Sequence, residues 1–86
     1  MTEHNEHRHF KIIINATEHT VHKQELSYQE IVDIAFPGSG TDSTTIYTIT
    51  YEHSAQPHKP DGVLPKGGEI HIKNGTVFSV SPTGQS

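Results

Sequence analysis

Histidine is the residue type best equipped for chemistry in this sequence, and it is concentrated near the start. His4, His7, His9, His19 and His22 are five of the eight histidines. Imidazoles in such number raise the idea of a metal site, but a metal needs ligands that converge on one centre and are held by an outer shell. His4, His7 and His9 fall in a polar arm, and His19 and His22 lie three apart on a candidate strand, facing opposite ways. The spacing predicts solvated histidines, with no metal centre. Serines are numerous, yet none has a nucleophile-elbow context. Glu30 and Asp33 share a candidate helix, but Glu30 is engaged in its cap, so no paired-carboxylate site emerges. With no assembled nucleophile, base and stabilising group, the sequence argues against an enzyme. Gly38-Ser39-Gly40 and Lys66-Gly67-Gly68 are too short for a phosphate loop and open no helix. Asn15-Ala16-Thr17 fits a glycosylation acceptor, but without a secretory signal it reads as a turn. Nothing calls for a cofactor.

Two features survive this sifting. If Phe10, Ile12, Ile14, Ile49, Phe78 and Val80 face a core, then Ile13, Val77 and Ile46 face outward, either as scattered apolar residues that need no function or, on adjoining strands, as a patch suited to a partner. The second feature is the run Ser81-Pro82-Thr83-Gly84-Gln85-Ser86, which offers nothing to a core and reads as a flexible tail over 82–86.

The elements that position these residues follow from periodicity. Eighty-six residues allow one domain, placed here at 10–81, with residues 1–9 expected to be a disordered arm. The absence of cysteine excludes disulfides, thiolate zinc sites, iron–sulfur clusters and thiol nucleophiles. A net charge of −4 and scattered Lys11, Lys23, Lys59, Lys66 and Lys73 argue against a nucleic-acid partner. No apolar run is long enough for a membrane span, and the default location is the cytoplasm.

Alternation of Phe10, Ile12 and Ile14 predicts a first strand, and residues 19–23 around Val21 return as a second. Residues 26–36 predict the sole helix. Ser27 and Glu30 make a capping box, Leu26 and Ile31 a hydrophobic staple, and Ile31, Ile34 and Ala35 one apolar stripe ended by Pro37-Gly38. Such a helix must lie on a sheet. Residues 44–51 predict a third strand, and 52–68 a long loop with Val63-Leu64 as a small anchor.

Residues 69–73 and 76–81 then pair around Asn74-Gly75. A two-residue turn would put Phe78 and Val80 on the face away from Ile70 and Ile72. A three-residue loop Lys73-Asn74-Gly75 with left-handed Gly75 keeps all four together, so that register is expected. One helix after a hairpin, followed by a return to the sheet, is an α+β arrangement of the β-grasp type. It implies a mixed sheet of four to five strands with the last strand central, beside the first and parallel to it.

The residues Phe10-x-Ile12-x-Ile14-Asn15, Val21 and Leu26-x-x-x-Glu30-Ile31-Val32-x-Ile34-Ala35 resemble the prokaryotic ubiquitin-like family called multiubiquitin. Tyr47-x-Ile49-x-Tyr51, Gly62-x-Leu64-x-x-Gly67 and Ile70-x-Ile72-x-x-Gly75-x-x-Phe78-x-Val80 continue the resemblance to about residue 83. It implies a bacterial protein modifier that works with a ubiquitin-activating-like enzyme, a conjugating-like enzyme and a zinc metallopeptidase of the deubiquitinase type. The C-terminal carboxylate would be adenylated and passed on to an amine of a target protein. Here the sequence departs from the Gly-Gly ending of ubiquitin, because Gly84 is followed by Gln85 and Ser86. Either a peptidase removes Gln85-Ser86 and leaves Gly84 as the reactive terminus, or the tail reacts at Ser86, or this chain is never conjugated. The competing expectation is a non-conjugated β-grasp module that binds a partner through its open sheet face. A sulfur carrier, whose tail ends Gly-Gly, is a third, and a β-grasp ferredoxin is excluded by the lack of cysteine.

Overall fold

β1 (Phe10–Ile14) and β2 (Thr17–Val21) form an antiparallel hairpin in the computed structural model, which describes residues 9–38 and 45–83. Asn15 and Ala16 close it, both with positive φ, 51° and 69°. That is the signature of a two-residue type I′ turn, and it sets Thr17 directly opposite Ile14. The return strand therefore starts two residues before the expected 19–23.

β3 (Glu25–Ser27) leads into α1 (Tyr28–Ala35). The capping box forms as the sequence predicts: the Glu30 N–H donates to Ser27 Oγ at 3.1 Å and the Ser27 N–H to Glu30 Oε1 at 2.9 Å. The N-cap backbone is extended, so Leu26 lies in a strand rather than in the helix. The buried face is Tyr28, Ile31 and Val32, while Ile34 and Ala35 are only half-buried. The stripe thus sits toward the N-terminal half of a helix shorter than expected.

β4 (Tyr47–Glu52), β5 (Gly62–Leu64), β6 (Glu69–His71) and β7 (Val77–Pro82) complete the chain. The main sheet has the order β2-β1-β7-β4-β5, with β7 parallel to β1 and antiparallel to β4. Among the described residues one helix lies on a mixed five-stranded sheet with a central last strand, the expected α+β, ubiquitin-like β-grasp fold. The 52–68 segment is not all loop as expected, because residues 62–64 pair with β4 as β5; Leu64 is its apolar anchor, while Val63 points outward and is 62% exposed. Gly62 opposes Tyr51, and a Cβ there would lie 2.8 Å from the Tyr51 hydroxyl, so the ring lies across this position.

The expected terminal hairpin is overturned. β6 and β7 do not form a hairpin; β6 pairs with β3, Leu26 opposite Ile70, in a separate two-stranded sheet. The local turn exists, with the Thr76 N–H donating to Lys73 O at 3.1 Å and Gly75 at φ 95°. It carries the chain from one sheet to the other instead of reversing it within one. One backbone and one side-chain bond tie it to β1: the Gly75 N–H donates to Lys11 O, and the Lys11 N–H to Asn74 Oδ1, each at 2.8 Å. Ile70, Ile72, Phe78 and Val80 are still all buried, because alternation is preserved on both sides of the turn. Buried Thr76 locks the junction, its hydroxyl donating to His53 O at 2.8 Å and accepting from the Lys73 N–H at 3.0 Å.

The core consists chiefly of Ile12, Ile14, Ile31, Val32, Ile49, Ile70, Ile72 and Phe78. Each fully buried side chain of this kind contributes about 1.5–3 kcal/mol relative to exposure. Tyr28 adds a directional tie between helix and sheet: its hydroxyl accepts from the Tyr47 N–H at 2.9 Å and donates to Tyr47 O at 3.0 Å. Tyr47 opposes Pro82 near the end of β7, so the tie braces that end of β4.

Candidate functional site

β7 dominates the places where chemistry could act, because its backbone is held on both sides and it leads to the tail. Its contact with β1 comprises only two registered pairs, Ile13 with Val77 and Ile14 with Phe78. Two asparagine side chains lengthen it. Asn74 grips the Lys11 N–H at one end, as described. At the other, Asn15 Oδ1 accepts from the Val80 N–H at 2.9 Å and Asn15 Nδ2 donates to Val80 O at 3.0 Å. The Asn15 amide thereby takes the place of a further strand residue.

The ladder also runs past the expected boundary at residue 81. β7 extends to Pro82, the Thr83 N–H donates to Ile46 O at 2.7 Å, and the Thr83 and Thr48 hydroxyls are 2.9 Å apart. Gly84, Gln85 and Ser86, the residues expected to carry conjugation and processing, lie outside the described residues.

Of the three residues expected to form the outward patch, the structure joins two. Ile13 and Val77 are direct neighbours across β1 and β7, both half-buried on the face away from α1. Glu18 lies opposite Ile13, and Glu52 opposite Val77. The row across four strands is therefore acid, apolar, apolar, acid. Ile46 is outward and 55% exposed, but it lies beside Thr83 at the far end of β7. Six residues of strand separate it from the Val77 row, about 20 Å, so it does not join the pair. Val63, across from Thr50 on β5, is the other large apolar group on that face.

Two shallow depressions lie on either side of Lys23. One, about 500 Å³, is polar and lined by His22, Glu25, Glu69 and His71 among others. The second, about 430 Å³, is mainly apolar and runs between β2 and α1 over Val21, Leu26 and Ile34. The Glu30 carboxylate is shared between Lys23 Nζ and the Ser27 N–H, and these two donors hold it below the usual carboxylate range. His9 packs edge-on against His22, ring centroids 4.7 Å apart, but among the described residues no three His, Cys, Asp or Glu side chains are placed to hold a metal ion. His4 and His7 lie outside the described residues. Among the described residues no helix is long and apolar enough to cross a membrane.

Sequence reasoning missed the Asn15 clamp, the Tyr28 hydroxyl bridge and the β2–α1 groove. Asn15-Ala16 carried a signal for the first, since Asn favours the left-handed turn position. The other two depend on contacts between residues distant in sequence.

Helix α1 cradled by a mixed sheet with a central, clamped last strand defines a ubiquitin-like domain. The chain belongs to the Multiubiquitin family, whose profile matches residues 10–84. Neither the comparison with curated proteins nor that with solved structures gives a match.

Proposed function

We propose that this protein is a bacterial ubiquitin-like modifier acting in the cytoplasm, attached to target proteins through a carboxylate in the segment that follows β7. Membership of the Multiubiquitin family carries the reading. The path of the chain supports it, because among the described residues the last bond to β4's side is made by Thr83, and Gly84 is next in the sequence. An activating enzyme would adenylate the carboxylate with loss of pyrophosphate, a conjugating enzyme would take the acyl group as an ester or thioester, and a target amine would displace it to form an isopeptide bond. Glycine suits the reacting position because a residue without Cβ lets its backbone approach a nucleotide closely. A zinc metallopeptidase of the deubiquitinase type would first remove Gln85 and Ser86. The protein is a substrate of these enzymes and does none of the chemistry itself.

Incubation with the cognate peptidase, followed by intact-mass analysis, should show loss of Gln85 and Ser86. An unchanged mass rejects the trimming step. Deletion of residues 84–86 should abolish adenylate formation with the activating enzyme.

The Ile13–Val77 pair favours a second reading, a β-grasp module that binds a partner through its outer face without conjugation. Under that reading Ile13→Asp with Val77→Asp abolishes binding and deletion of 84–86 is harmless. Under the modifier reading the deletion is fatal to attachment.

A further inference from the structure

The turn between β6 and β7 carries the one Asn-Gly pair of the sequence, Asn74-Gly75. An asparagine before glycine is open to attack on its own side chain, because no Cβ on the next residue crowds the approach of that residue's nitrogen. Lys73, Asn74 and Gly75 are all exposed, and nothing lies within 4 Å of the place a Gly75 Cβ would take. Water therefore reaches the pair freely. What restrains it is one residue of β1. The Gly75 N–H donates to Lys11 O, and Asn74 Oδ1 accepts from the Lys11 N–H, each at 2.8 Å. The attacking nitrogen and the amide it would attack are thus both held by the backbone of Lys11.

We propose that Asn74-Gly75 is a site of spontaneous deamidation, gated by release of the turn from Lys11 and disruptive to the β1–β7 junction once it has occurred. In the reaction the Gly75 nitrogen loses its proton to hydroxide and attacks the Asn74 side-chain carbon. The new C–N bond closes a five-membered imide, and the side-chain nitrogen leaves as ammonia. Water then opens the imide at either carbonyl, giving aspartate or isoaspartate. The net change is amide plus water to carboxylate plus ammonium. The imide nitrogen carries no hydrogen, so ring closure and the Gly75–Lys11 bond exclude each other. Aspartate restores the N–H and keeps an oxygen for the Lys11 N–H. Isoaspartate routes the main chain through the side-chain carbon and lengthens the turn by an atom, so the two Lys11 bonds lose their register. Those bonds adjoin a parallel contact of only two registered pairs, Ile13 with Val77 and Ile14 with Phe78, and their loss frees its leading end. Aged molecules thus come to hold β7 less firmly. The step uses no partner and no residue of 84–86, so it stands or falls apart from the modifier reading.

The test incubates the full chain beside a peptide of residues 72–78 in mildly alkaline buffer, and follows Asn74 by glutamate-specific digestion and mass analysis. Opening the gate breaks two hydrogen bonds, which should slow the folded chain about 30-fold relative to the peptide. The chain unfolded in urea should match the peptide. Thr76→Val removes the hydroxyl that ties the turn to His53 O and the Lys73 N–H, and should speed the folded reaction by about 3-fold or more. The isolated isoaspartate form should show faster hydrogen exchange at the Lys11 amide, and the aspartate form should not. A folded-chain rate within about 3-fold of the peptide overturns the proposal, as does the absence of product at Asn74 after several half-lives of the peptide. Unchanged Lys11 exchange in the isoaspartate form overturns it too, and so does an unchanged rate in Thr76→Val. If that variant does not fold, comparison of the wild-type chain with the peptide decides.

Discussion

Removing the Asn15 side chain tests whether the central strand is clamped by an amide that imitates backbone. Asn15 makes two hydrogen bonds to Val80, at 2.9 and 3.0 Å, and adopts φ 51°. Each bond is worth about 0.5–1.5 kcal/mol net, so the pair contributes about 2 kcal/mol. Asn15→Gly removes both bonds while suiting the left-handed backbone. Relief of that conformation roughly offsets the extra freedom glycine gives the unfolded chain, leaving a loss of about 2 kcal/mol. Asn15→Ala removes the same bonds and keeps a Cβ in the left-handed region, which adds about 1 kcal/mol. For a domain of this size about 4–8 °C of melting temperature follows each kcal/mol, so the glycine variant should melt about 8–16 °C lower and the alanine variant lower again. Urea denaturation followed by circular dichroism gives the free energies, and hydrogen exchange at the Val80 amide locates the damage. A glycine variant within about 0.5 kcal/mol of wild type would refute the clamp, that being the ordinary range for an uninvolved surface site. An alanine variant no worse than glycine would refute the backbone argument.

Tyr28→Phe deletes the hydroxyl that both donates to and accepts from Tyr47, and should cost about 2 kcal/mol in the same denaturation assay; a change under about 0.5 kcal/mol would mean that water replaces it. Ala16→Gly, at φ 69°, converts the turn to the favoured Asn-Gly form and should stabilise the protein by about 0.5–1 kcal/mol, read from the urea midpoint at constant slope. Glu30→Gln keeps an acceptor for the Ser27 N–H but loses the charge facing Lys23. Both side chains are substantially exposed, so the difference at pH 7 should be only about 0.5 kcal/mol. Because the folded-state pKa of Glu30 is lowered, its contribution is whole above the unfolded value of about 4.3 and lost as pH falls through the folded value. The two proteins should therefore converge in stability in acid, and a gap that persists at pH 2 would contradict the assignment.

Features set by neighbouring residues were legible in the sequence. The capping box needs only Ser27 and Glu30, three apart, and forms as expected. Alternation in β1 and β7 correctly sorts Ile13 and Val77 from Ile12, Ile14, Phe78 and Val80. The parallel placement of β7 beside β1 followed from the order of elements, and that placement makes Ile13 and Val77 neighbours. Parity cannot fix position along a strand, so it places Ile46 on the outer face without revealing its distance from Ile13 and Val77. Pairing was harder still. Asn74-Gly75 signals a turn without naming the strands it joins, and Lys11, 63 residues away from Asn74, decides the matter. The Asn15–Val80 clamp spans 65 residues and has no local signature beyond a turn-prone asparagine.

The distribution of backbone bonding bears on how a modifier of this shape could work. A target joined beyond Thr83 would transmit force into β7, along the strand and not across it. β7 is resisted by six registered pairs with β4 and, on its other side, by β1 with an asparagine amide at each end of a short parallel contact. Force along such a strand must shear several hydrogen bonds together, whereas an edge strand peels off one bond at a time. In a modifier of this kind the attachment point would follow a strand held on both sides. Asn15 bears on that hold. It closes the turn into β2 and, through its side chain, holds β7 three residues before Thr83. Loosening it should weaken the hold on the end of β7, so hydrogen exchange at the Val80 and Thr83 amides should be faster in the Asn15→Gly variant at temperatures where it remains folded.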